Sequence, residues 1–139
     1  MILIDSNVLS ELMRPAPSHA VVAWMNAQTE EQLWTSAITI FEIEYGIELI
    51  DDGARRLRLR SIFESIINQD IGGRILQFDA ESASRTAAVS ALGRKQGRTI
   101  ELRDAMIAGI ALRHGCALAT RNIRHFDDCG IELIDPWSS

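Results

Sequence analysis

The chain opens Met1-Ile2-Leu3-Ile4-Asp5-Ser6-Asn7. Ile2, Leu3 and Ile4 make a short, unbroken apolar run, which suits a strand covered on both faces. The run stops in a carboxylate and two polar residues. In open α/β sheets, ligands bind in the crevice beyond the carboxyl ends of the strands, and Asp5 would stand there. Asp5, Ser6 and Asn7 are also favoured helix caps, so on this stretch alone the two readings stand side by side.

Working outward, strands and helices alternate. Val8 to Arg14 reads as a short helix stopped by Pro15 and Pro17, and Ser18 can cap a second one carrying Val21, Val22, Trp24 and Met25. Gln32 to Ser36 suits a strand, with Ser36 capping a third helix over 37–49. Asp51-Asp52-Gly53 is a break before a fourth helix over 54–68, with Arg55, Arg56, Arg58 and Arg60 in its first half among many apolar residues. That mixture suggests an interaction surface as well as core packing, against the plainer reading of a solvated basic face. Arg74 to Phe78 suits a strand, Asp79 caps a helix over 80–93, and a loop over 97–102 leads to a helix over 105–114 ended by Gly115. Cys116 to Ala119 and Ile131 to Ile134 complete the strands. This alternation, without repeat or linker, predicts one α/β domain over 1–139 with a mainly parallel sheet.

The third helix holds an anomaly. Ile38, Phe41, Glu42, Tyr45 and Leu49 share one face, which reads as core-facing and apolar except for Glu42. A carboxylate on such a face is costly unless something pairs with it. Two further polar residues stand out. Asp104 starts a helix of small apolar residues, and Asn122 follows a buried-type strand in Thr120-Arg121-Asn122. Each has a plain alternative: Asp104 as a cap, Glu42 paired with an Arg, Asn122 holding a turn. Convergence favours function, because the carboxyl ends of parallel strands share one edge. Carboxylates gathered there repel one another and rise in pKa unless a cation joins them. Oxygen donors suit Mg²⁺, and Mn²⁺ also accepts them.

Composition narrows the classes. The 139 residues carry a net charge of −5, which argues mildly against free nucleic-acid binding. All but one of the 14 basic residues are Arg, the exception being Lys95, so local phosphate or carboxylate recognition stays open. No run approaches the roughly 18 apolar residues of a membrane span, and no basic region precedes the first apolar run as in a secretory signal. Cys116 and Cys129 lack CxxC spacing, which fits a reduced, cytoplasmic protein. No Walker loop, GxGxxG, HExxH or GxSxG occurs. His19 and His114 read as structural or solvated. His125, three residues past Asn122, is solvated or stands at the rim of a site. A phosphatase using Asp5 as nucleophile lacks the second Asp at position 7, which is Asn.

The opening MILIDSNVLSELMRP with VVAW, SAITIFEIEYGI around Glu42, RDAMIAGIALRHG around Asp104, LATRNIRHF around Asn122 and the closing DPW resemble, over essentially the whole chain, the PIN-domain family. Within it they are similar to VapC-type toxins and their FitB-like branch. The resemblance implies a three-layer α/β/α sandwich and a metal-dependent ribonuclease. Asp5, Glu42 and Asp104 match the family's acids, and Ser6 and Thr120 match polar neighbours of the site. Asn122 stands where the FitB-like branch has Asp, which removes one charge from a second metal position. The implied mechanism has Asp5 and Asp104 holding Mg²⁺ or Mn²⁺, Glu42 orienting or deprotonating water or holding a second ion, and Asn122 assisting. Arg103 or Arg121 would hold flanking RNA phosphates or form surface ion pairs. The resemblance also implies a homodimer or hetero-oligomer with a cognate antitoxin that supplies operator-DNA binding. An alternative is a subunit of that complex with catalysis suppressed or vestigial.

Overall fold

The computed structural model describes residues 1–138. Five parallel strands, β1 (Ile2–Ile4), β2 (Leu33–Ser36), β3 (Ile75–Leu76), β4 (Ala117–Ala119) and β5 (Leu133–Ile134), form one sheet in the order β3-β2-β1-β4-β5. β1 lies at the centre, with Leu3 opposite Trp34 of β2 and Leu118 of β4. The chain builds outward from β1 through β2 to β3, then returns to lay β4 and β5 on the other side. The strand order therefore reverses between β1 and β4, and a crevice at the carboxyl ends is expected there.

Six α-helices cover the sheet: α1 (Ser6–Leu12), α2 (His19–Ala27), α3 (Ala37–Glu48), α4 (Gly53–Ser65), α5 (Ala80–Lys95) and α6 (Leu102–His114). Leu3 and Ile4 are both fully buried but belong to different cores. Ile4 packs with Val8, Leu9, Val21, Ile43, Ile47 and Phe63, from α1 to α4. Leu3 packs with Val89, Ile107, Ile110 and Leu118, under α5 and α6. The period of two along a strand thus explains why an unbroken apolar run was needed, and the result is the expected three-layer sandwich.

The caps follow the sequence reading. Ser18 accepts from the Val21 amide, Ser36 from Thr39, and Asp79 from Ser82, while Gly115 ends α6 at φ 65°. α4 runs on through a π-helical turn, Ile66–Asp70.

The face assigned to the core on α3 is a correction. Thr39, Ile43 and Ile47 are the buried residues, whereas Phe41, Tyr45 and Leu49 are 54%, 52% and 64% exposed. The helix has apolar residues on both sides, so periodicity alone could not choose between them. Ile43 and Ile47 complete the core that Ile4 enters, and they decide the rotation. Glu42 lies at the boundary, partly buried.

Candidate active site

Asp5 follows β1 directly and is both things the sequence allowed. It is the N-cap of α1, its Oδ1 accepting from the Ser6 amide at 2.8 Å, and it is 3% exposed beside the switch point. Its amide donates to the Ala119 carbonyl of β4 at 3.0 Å, which ties the two central strand ends together. The buried Thr120 hydroxyl donates to Asp5 Oδ2 at 2.7 Å. Asn7 donates to Asp5 Oδ2 at 3.4 Å and to Thr120 Oγ1 at 3.2 Å, and its carbonyl oxygen accepts from the Arg121 amide. The Asn122 amide donates to Thr120 Oγ1 at 3.1 Å. One hydroxyl therefore organises both loops of the crevice. Asn7, read from the sequence as a cap type and as the missing second Asp of a phosphatase, joins this hydrogen-bond network.

Asp104 is not the cap of α6. Glu101 is, accepting from the Arg103 and Asp104 amides at 2.9 and 3.1 Å. Asp104 sits in the first turn, where a negative charge is favoured by the helix dipole, with its carboxylate free of capping. His125 Nδ1 lies 3.0 Å from its Oδ2. Glu42 reaches the same region from α3. Its Oε2 lies 3.9 Å from Arg103 Nε, and its buried Oε1 has no hydrogen-bond partner among the described residues.

The electrostatics link the three acids. Burial above all pushes the Asp5 carboxyl up from the ordinary range, the Thr120 hydroxyl opposes this, and the Asp104 charge adds to it. Burial and then the Asp5 charge push Glu42 up, against Arg103 and the Ser6 hydroxyl. Burial above all pushes Asp104 up and the Glu101 charge adds to it, against His125 and Arg103. Asp5 and Glu42 thus each feel another of the three acids, as expected of carboxylates sharing a crevice, whereas the carboxylate that Asp104 feels is Glu101. Among the described residues, no three His, Cys, Asp or Glu side chains form a ready-made metal cluster. Each acid is held by its own neighbour: Asp5 by Thr120, Glu42 by Arg103 and Asp104 by His125. The donor set still fits a hard cation. It is all oxygen, it contains a buried carboxylate oxygen without a partner, and Mg²⁺ commonly uses only one or two carboxylates with waters and phosphate.

Asn122 is exposed, and its side chain makes no hydrogen bond to the acids among the described residues. Arg103 is engaged by Glu42 and Glu101, and Arg121 stacks on Trp137 at 4.9 Å. A groove of about 840 Å³ leads away from Ser6, Glu42 and Arg103. Its walls include Met13, Ile43, Ile47, Leu59 and Ile62, with Arg14, Arg55 and Arg58 along it. The surface expected on the fourth helix is thus continuous with the acid crevice.

Acids set at the switch point of a parallel sheet stand where an open α/β domain takes its ligand. The chain belongs to the PIN-domain family, whose model matches residues 2–131. It is similar to the VapC ribonuclease Y4jK of Sinorhizobium fredii, 36% identical over 137 residues, covering 99% of this chain and 98% of the relative. It is also similar to the toxin FitB of Neisseria gonorrhoeae, 35% identical over 137 residues and 99% of each chain. Among solved structures it resembles FitAB bound to a DNA fragment, with a TM-score of 0.90 and 35% identity over 99% of this chain and 96% of that one. No helix among the described residues is long and apolar enough to cross a membrane.

Proposed function

We propose that the chain is a divalent-metal-dependent endoribonuclease, the toxin of a type II toxin–antitoxin pair, acting on RNA phosphodiester bonds in the cytoplasm. The observation that carries this reading is the partnerless buried Glu42 oxygen, in a crevice whose other acids, Asp5 and Asp104, are also held above their ordinary pKa range. The ribonuclease and toxin names of the relatives support it. Asp5 and Asp104 would hold Mg²⁺ or Mn²⁺. When bound, the cation supplies a more acidic water and neutralises charge on the phosphate. Glu42 orients the attacking water and takes its proton, a role for which a raised carboxyl pKa suits it. Thr120 fixes Asp5 in one rotamer. Asn122, exposed on the turn past β4, donates to a phosphate oxygen of the RNA.

The partner in this reading is a cognate antitoxin. An acidic, amphipathic segment fits the groove, with apolar side chains on Met13, Ile43 and Leu59 and carboxylates against Arg55 and Arg58. Such a segment ends at Glu42 and Arg103 and covers the crevice. The net charge of −5 and the DNA-bound FitAB relative support leaving operator contact to the antitoxin. They equally support the second reading, a complex subunit with suppressed catalysis. Expression of the chain alone separates the two. Growth arrest that Asp104→Ala relieves supports the nuclease, and unhindered growth with soluble wild-type protein contradicts it.

A further inference from the structure

Asp5 has three donors on its carboxylate and Glu42 has Arg103, but among the described residues the Asp104 carboxylate has one hydrogen-bond donor, His125. The Nδ1–Oδ2 distance of 3.0 Å is that of a hydrogen bond, in which the ring N–H donates and the carboxylate accepts. One neutral tautomer and the charged ring both supply that donor, so the contact does not depend on the protonation of the histidine. The Asp104 carboxylate is not used in capping, since Glu101 caps α6.

The imidazole is itself held in place. It sits on the short 3-10 turn Ile123–Phe126, where the His125 amide donates to the Asn122 carbonyl at 3.0 Å. The next residue, Phe126, is 1% exposed and anchors the turn in the core beneath α6. The turn that carries an amide at Asn122 thus brings the crevice an imidazole instead of a further carboxylate.

We infer that His125 is a positioning residue for the metal site: it holds Oδ2 of Asp104 and so presents the other oxygen, Oδ1, to the cation. This rests on the metal reading above and adds a residue to it. Groups one step behind a metal ligand typically change metal affinity by about 10- to 100-fold when removed.

The test is calorimetric titration of the metal-free chain with Mn²⁺, for wild type, His125→Ala and His125→Asn. The Asn amide nitrogen falls near the place of Nδ1 and keeps the donor. His125 is exposed, and the melting temperature of each metal-free variant verifies folding. The inference expects His125→Ala to bind Mn²⁺ about 10-fold or more weakly, His125→Asn to stay near wild type, and RNA cleavage by His125→Ala to recover at saturating Mn²⁺. Unchanged Mn²⁺ affinity in His125→Ala overturns it, as does an Asn variant as weak as the Ala one. Unchanged affinity with cleavage lost at saturating Mn²⁺ also overturns it, assigning the ring to the RNA. If the wild-type chain takes up no Mn²⁺, the metal reading fails, and this inference with it.

Discussion

At the scale of single residues, the crevice is a set of acids each restrained by a different neighbour. Asp5 is buried and satisfied by Ser6, Asn7 and Thr120, whereas Glu42 keeps an oxygen with no partner. The difference has a measurable sign. The Glu42 carboxyl is raised in the folded chain, so the native state binds a proton that the unfolded chain has released. Its contribution to stability is present in full below the unfolded value and is lost as pH rises through the native one. Glu42→Gln removes that loss. Without metal, this variant is expected to melt higher than wild type at neutral pH. The gap should close as pH falls below the ordinary Glu value of 4.5. Scanning calorimetry across pH in a chelating buffer measures it, and a gap that does not change with pH contradicts the assignment.

At the scale of elements, close packing of α5 on α6 fixes where Asp104 stands. Gly109 makes it possible: a Cβ there would overlap the Thr86 hydroxyl and lie 2.6 Å from the Ser82 carbonyl oxygen. Gly109→Ala is expected to destabilise the fold by about 1–3 kcal/mol, the scale of overpacking a tight core. A shift in the denaturation midpoint without a change in slope reads this out. An unchanged midpoint would mean that the two helices are not held this close. Elements were also where the sequence was most and least legible. Ile2-Leu3-Ile4 announces a strand buried on both sides, and Ser18, Ser36, Asp79 and Gly115 announce helix ends, because these signals are local. The rotation of α3 was not legible, since Ile43 and Ile47 compete with Phe41, Tyr45 and Leu49 and only the core decides. Asp104 as a cap was equally open, since Glu101 three residues earlier is an alternative cap that composition does not reveal. Asp5 stood out because it ends an apolar strand, whereas Glu42 was singled out on a face of α3 that proved to be exposed. Asn7 and the contact of His125 with Asp104 were not, because both depend on chain segments more than 20 residues apart.

At the scale of the whole molecule, two surfaces stand out among the described residues. One is the Arg-lined groove read as the antitoxin's seat. The other is the outer strip of α3, where Phe41 and Tyr45 stack at 5.7 Å and Leu49 is exposed beside them. Exposed apolar patches of this kind mark association sites. The chain is expected to run as a homodimer in size-exclusion chromatography with light scattering. The double change Phe41→Ser and Tyr45→Ser should run as a folded monomer, and a monomeric wild type contradicts the homodimer. The groove meets the acid crevice at Glu42, and in the proposed function this crevice cleaves RNA with a divalent ion. The most direct test is RNA cleavage by the purified chain, with Mn²⁺ or Mg²⁺ and with chelator, beside Asp5→Asn. A metal-dependent nuclease gives cleavage that chelator abolishes and that Asp5→Asn lowers by about 100-fold or more, roughly 2.7 kcal/mol of transition-state stabilisation. Cleavage that survives chelation, or an Asp5→Asn variant as active as wild type, would contradict the proposed function.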